Sequence, residues 1–200
     1  MLTVMNTQGP ILRSPQLMSA GDTGLLVVDV QEKLIGLLPD HRRIVWNIRR
    51  LIDGARALGV ATEATEQYPK GLGPTVPELA AKLDTIPAKV TFSCGGCPEI
   101  FTAWRDAGIH RVLICGIETH VCVQQTAYDL MAAGFGVYLS VDAVGARFAL
   151  DHDTAVRRLE SAGATLTTTE AALFEWCGTA DRREFKTISE LVKETPAVSW

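Results

Sequence analysis

The chain has 200 residues, 47% of them hydrophobic and 21% charged, with a formal net charge of −4, a length that suits one domain whose core needs no disulfide or metal staple. That charge balance offers no basic surface to a phosphate backbone, so nucleic acid is excluded as an expected partner. No apolar run approaches the roughly 20 residues of a membrane span and residues 1–20 lack the sections of a secretory signal, so a cytoplasmic protein with no membrane partner is expected.

Residues 1–20 carry Gly9-Pro10 and Ser14-Pro15 and no hydrophobic period, which predicts an extended arm of the kind that can wrap a neighbouring subunit, ahead of a single domain over 21–200. Short apolar, β-branched segments then follow at 24–30, 59–65, 88–92, 110–116, 135–141 and 164–169, six candidate strands. Segments of helical period lie between most of them, at 40–58, 98–107, 120–133 and 151–162, the first with Ile44, Val45, Ile48, Leu51, Ile52 and Ala55 on one face. Gly59, Gly108, Gly134 and Gly163 follow the last helical residues and suit left-handed caps. The Gly/Pro-rich stretch 69–77 reads as a loop at the end of the second strand. Strand and helix alternate throughout, and right-handed crossovers then give an α/β fold: a three-layer α/β/α sandwich on a six-stranded, mainly parallel sheet. Ligands of such sheets collect outside the carboxyl ends of the strands, where Asp29, Gln67 and Cys122 all fall.

Asp29 ends the most apolar strand, after Leu25-Leu26-Val27-Val28, where an unpaired carboxylate would cost several kcal/mol. It either caps the next helix, pairs with a structural lysine, or serves as a general base. Lys89, inside the short strand Ala88-Lys89-Val90-Thr91-Phe92, either snorkels to the surface or points at the active edge, where its charge would lower the pKa of a nearby thiol. Cys122 lies in or near the first turn of a helix that follows a strand, and the free amides and dipole of such a turn favour a thiolate and the oxyanion formed when it attacks a carbonyl.

The other four thiols have plainer readings. The count of five is odd and there is no export signal, so no disulfide framework is implied. Cys115 sits in the apolar run Val112-Leu113-Ile114-Cys115 and Cys177 near a helix end, both as small buried hydrophobes. Cys94-Gly95-Gly96-Cys97 has the spacing of a redox pair, and Pro98 after it predicts a helix start that would make Cys97 somewhat acidic. No second such pair or His pair accompanies it to hold zinc, and a loop of incidental thiols is the default.

Asp29 after an apolar strand, Lys89 in the third strand and the run Gly116-Ile117-Glu118-Thr119-His120-Val121-Cys122-Val123-Gln124-Gln125-Thr126-Ala127 together resemble the isochorismatase-like hydrolases over about residues 22–177. The stretches 66–79 (EQYPKGLGPTVPEL) and 166–176 (LTTTEAALFEW) are similar to the isochorismatase-domain-containing branch. The resemblance implies a catalytic triad of Asp29, Lys89 and Cys122, and a non-proline cis peptide between Ile117 and Glu118 that turns the Glu118 amide toward the Cys122 amide as an oxyanion hole.

It also implies a cofactor-free hydrolase that cleaves a small amide or related acyl C–N bond through a cysteine thioester. Isochorismatase-type vinyl-ether hydrolysis ranks second, because protonation and water attack need no thiol nucleophile. A non-catalytic scaffold that keeps the fold is the alternative of another class. Nicotinamidases of the superfamily hold a metal with an Asp-x-His pair after the second strand. Here Gln67 and Pro69 stand at those places, proline has no ligating side chain, and no metal is expected. Gln31, Gln67, Tyr68, Phe92, Thr119 and His120 are the candidate contacts to a small-molecule substrate, and His120 lies too near in sequence to Cys122 to face it as a base. The resemblance further implies a homo-oligomer of unstated size, and it leaves the physiological substrate open.

Overall fold

The computed structural model describes residues 11–196. The element order is β1 (Thr23–Val28), α1 (Glu32–Ile35), α2 (His41–Leu58), β2 (Ala61–Gln67), α3 (Pro69–Leu72), α4 (Pro77–Ala80), β3 (Ala88–Lys89), α5 (Pro98–Asp106), β4 (Arg111–Ile117), α6 (Gln124–Ala132), β5 (Gly136–Gly145), α7 (Ala149–Ser161), β6 (Thr165–Thr167), α8 (Thr169–Cys177) and α9 (Phe185–Lys193). The six strands form one sheet in the order β3-β2-β1-β4-β5-β6, and every strand pair is parallel. No helix among the described residues is long and apolar enough to cross a membrane.

Each central strand is apolar on both faces, as a sheet covered on both sides requires. Leu25 and Val27 of β1, with Leu113, Cys115 and Ile117 of β4, face a core closed by α2, α8 and α9, in which Trp176 is fully buried. Leu26 and Val28, with Val112 and Ile114, face the opposite core, closed by α5, α6 and α7. The expected stripe of α2 is the buried one, through Ile44, Ile48, Leu51, Ile52 and Ala55. Gly59, Gly108, Gly134 and Gly163 all have the positive φ expected of helix caps.

Several boundaries differ from the sequence expectation, each for a local reason. β2 begins two residues later than predicted, since Gly59 is spent on capping α2, and it runs on through Gln67. β3 pairs only over Ala88–Lys89, because the chain then leaves the sheet and exposes Val90 at 79%. The final strand stops at Thr167, since the Thr168 hydroxyl accepts from the Ala171 N–H and starts α8. The stretch 69–77 contains the short helix α3 and the start of α4. Residues 1–10 of the expected arm lie outside the described part. Residues 13–18 pack on their own domain: Arg13 donates to the Glu175 carbonyl, Met18 N–H to the Glu175 carboxylate, and Tyr138 Oη to the Gln16 carbonyl.

The strand order reverses between β1 and β4, and the crevice beyond their carboxyl ends is where open α/β sheets bind ligands. β4 approaches β1 very closely at Gly116, where φ is +116° and a β-carbon would stand 2.1 Å from the Val28 carbonyl oxygen. Only glycine fits there. The contact sets the height at which β4 releases the segment carrying Glu118 and Cys122.

Candidate active site

β1 ends on Asp29, whose backbone turns into the left-handed region at φ 52° and whose side chain is fully buried. Its carboxylate meets two donors. Lys89 Nζ approaches Oδ2 at 2.6 Å, and Thr65 Oγ1, from the neighbouring strand β2, donates to Oδ1 at 2.7 Å. Neither side chain of the Asp29–Lys89 pair is exposed. The remaining ammonium hydrogens go to the carbonyls of Phe92 (2.9 Å) and Thr91 (3.2 Å), so the chain after β3 wraps the lysine head, which does not snorkel to the surface.

Beyond β4 the Ile117–Glu118 peptide is cis, and a single π-helical turn, Thr119–Val123, leads into α6. Such turns occur within helices mostly at functional sites. Cys122 sits in this turn, 5% exposed, with its thiol within reach of the charge of the Asp29 carboxylate. Burial first, then the Asp29 charge, push the thiol well above its ordinary range, and Lys89 offsets only part of this. Lys89 does lower the thiol pKa as expected, but burial and the Asp29 charge outweigh it.

The loop thiols also differ from expectation. Cys97 is raised, by burial and by Glu99 ahead of any help from Lys89, so the helix start does not make it acidic. Cys94 is fully buried and pushed up to about 11 by burial and by Asp29. It lies against the site: its Sγ is 3.3 Å from Thr65 Oγ1, and its N–H donates to Thr126 Oγ1, one turn beyond Cys122. Cys115 is core, as expected, and Cys177 is buried with its thiol on the Thr179 carbonyl.

The candidate substrate contacts divide into two groups. Gln31 is fully buried and its amide uses both hydrogens and its oxygen, accepting from the Gln67 N–H (2.8 Å) and donating to the Gln67 (3.0 Å) and Gly73 (2.7 Å) carbonyls. Thr119 is buried with its hydroxyl on His152 Nδ1 at 3.0 Å, and His120 turns toward Asp151 of α7 at 3.8 Å. Gln31 and Thr119 brace the site, whereas His120 keeps a buried Nδ1 with no partner among the described residues. Tyr68 (53% exposed) and Phe92 (51%) stand open at its rim, and Gln67, whose Nε2 is held by the Val90 carbonyl, keeps a buried Oε1 with no partner. Sequence reasoning missed Thr65 and Arg147 as neighbours of the site, and took Cys94 by default as an incidental loop thiol. Arg147 donates through both its backbone N–H and Nε to the buried Glu118 carboxylate, each at 3.0 Å. Only strand register reveals Thr65, which pairs opposite Val28, the residue before Asp29.

The family model described as Isochorismatase domain matches residues 23–171, from the start of β1 into α8. The chain belongs to the isochorismatase family. Isochorismatase domain-containing protein 2 of Bos taurus is 41% identical over 174 residues, 87% of this chain and 84% of that protein. Among solved structures, the MAR1 ribonuclease of Caenorhabditis elegans is 39% identical with a TM-score of 0.84, over 91% of this chain and 95% of that one. YcaC of Pseudomonas aeruginosa, solved with hexane-2,5-diol and covalent acrylamide, is 26% identical with a TM-score of 0.79, over 90% of this chain and 93% of its own. The isochorismatase-domain-containing branch and the hydrolase fold that the sequence resembles are thus the ones it has.

Proposed function

We propose that this isochorismatase-family protein is a cysteine-dependent hydrolase that cleaves a small amide or related acyl C–N bond, with Asp29, Lys89 and Cys122 as its triad. The observation that carries the reading is one buried carboxylate that holds Lys89 at 2.6 Å and whose charge reaches the Cys122 thiol. A thiol whose pKa is raised does not attack by itself, so it needs a base that takes its proton as the bond forms. Asp29 is that base. Its proton then passes to the departing nitrogen, leaving a thioester on Cys122. Asp29 next takes a proton from water, whose oxygen attacks the thioester carbon, and that proton returns to the sulfur as the acid leaves.

Lys89 keeps its charge throughout, and it stabilises the ionised carboxylate between steps. The Glu118 N–H enters no backbone hydrogen bond among the described residues, and with the Cys122 N–H it is assigned to the oxyanion of the tetrahedral intermediate. The open rings of Tyr68 and Phe92, and the unpartnered oxygen of Gln67, are assigned to the substrate. The covalent acrylamide on the YcaC protein supports electrophilic capture by a protein of this fold. Vinyl-ether hydrolysis ranks second because it leaves the thiol without a role. The ribonuclease name borne by the C. elegans protein is not carried over: the cation at this site is already neutralised by Asp29, which leaves little to receive a phosphodiester. A homo-oligomer in the cytoplasm completes the proposal.

The test is a hydrolysis screen over small amides, carbamoyl compounds, nicotinamide and isochorismate, with Cys122→Ala as control. Turnover of a C–N substrate that vanishes in the folded alanine variant is expected; an alanine variant with full turnover removes the thioester route.

A further inference from the structure

Asp29 has two thiols within reach of its charge, Cys122 on one side and Cys94 on the other, and the mechanism uses only one. Thr65 stands between the carboxylate and Cys94, 2.7 Å from Asp29 Oδ1 and 3.3 Å from Cys94 Sγ. A threonine hydroxyl has one hydrogen. Since that hydrogen goes to Asp29, the Cys94 thiol is the donor to Thr65, and the chain of hydrogen bonds runs one way, from Cys94 through Thr65 to Asp29.

Lys89 alone would let the carboxylate pivot about its Oδ2 contact. The second donor removes that freedom, since it holds Oδ1 on the β2 side and so fixes the plane of the group with respect to Cys122. Thr65 is 1% exposed and its backbone is held against β1, opposite Val28 and with its carbonyl accepting from the Asp29 N–H, which leaves the packed hydroxyl little room to swing away. We propose that Thr65 is a positioning residue for the general base, orienting the Asp29 carboxylate toward Cys122 and keeping it from Cys94. The inference rests on the assignment of Asp29 as base. The titratable groups that face Asp29 are Lys89 from β3, Cys122 from the π turn and Cys94, with Cys97 behind it.

Acrylamide labelling of Cys122, followed by peptide mass spectrometry from acidic to neutral pH, reads the base without any known substrate. The sulfur adds to the β-carbon of acrylamide while the thiol proton, carried by Asp29, ends on the α-carbon. Thr65→Val is expected to slow labelling by about tenfold or more, the value of one hydrogen bond to a charged group. Thr65→Ser should restore the rate, and Cys94→Ala should leave it unchanged. Thr65→Ala carries the same expectation as the valine variant should that one fail to fold. A valine variant with the wild-type rate, a serine variant that behaves like valine, or a Cys94→Ala variant that reproduces the valine effect each overturns the proposal. Asp29→Asn separates the two claims: if it labels as fast as wild type, the base assignment fails and the inference with it. If it is inert while Thr65→Val is normal, the inference alone fails.

Discussion

Lys89 Nζ lies 2.6 Å from Asp29 Oδ2 with neither side chain exposed. Two charges withdrawn from water in this way hold each other in place, and removing either leaves the other buried and uncompensated. Lys89→Met is therefore expected to cost about 3–5 kcal/mol in urea unfolding and to abolish Cys122 reactivity. The double variant Asp29→Asn with Lys89→Met should recover part of the stability and none of the reactivity. Recovery of both would show that the pair serves the fold only.

The buried thiols make stability depend on alkaline pH. Cys94 is pushed up to about 11 from an ordinary 9.0, and Cys115 and Cys122 are also raised, each chiefly by burial. Between pH 9 and 11 the unfolded chain has lost these protons while the native state keeps them, so stability is full below the ordinary thiol pKa and falls as pH rises. Each such group contributes a slope of about 1.4 kcal/mol per pH unit. Urea midpoints measured across this range should decline, and less steeply in Cys94→Ala.

Gln31 binds three backbone groups, the N–H and carbonyl of Gln67 and the carbonyl of Gly73. Gln31→Leu leaves all three without that partner inside the protein, at a cost of about 2 kcal/mol or more. Hydrogen exchange should show the Gln67 amide losing protection while α2 and β1 keep theirs. Unchanged protection at Gln67 would mean that another group holds the end of β2.

At Gly116 a β-carbon meets the Val28 carbonyl at 2.1 Å, whereas at Gly136 the nearest atom is the flexible Arg111 side chain at 3.6 Å. Gly116→Ala is expected to cost about 3 kcal/mol or more, and Gly136→Ala to be close to neutral. Thermal melting of the two variants side by side checks the contrast.

Much of this was legible in the chain. The apolar run 25–28 ending in an acid, the glycine after each main helix and the strand-to-helix passage through Cys122 place the sheet, its layers and its reactive edge. What stayed hidden depends on register and on saturation. Thr65 looks like any strand threonine until β2 is laid against β1. Gln31 reads as a polar residue free for a ligand, because sequence does not show that both of its amide hydrogens are used and its oxygen already accepts. Residues 88–92 alternate like a longer strand, but the carbonyls of Thr91 and Phe92 are diverted to the lysine head, and the pairing ends. The acidity of Cys122 is hidden for a related reason: Lys89 lowers its pKa, but burial and the neighbouring carboxylate outweigh that help.

The segment from Tyr68 to Val76 is tied down at many points: by Gln31, by Glu66 Oε1, which accepts from both the Thr75 N–H and hydroxyl, by Lys33 on the Gly71 carbonyl, and by the Val76 N–H on Val30. A segment stapled in this way is part of the mould, with little freedom to act as a flap. On the proposed acyl chemistry, retuning toward a bulkier or more polar substrate is thus a matter of exchanging the rim side chains at Tyr68 and Phe92. A library that also randomised Gln31, Glu66 or Thr75 would spend its diversity on chains with a broken frame.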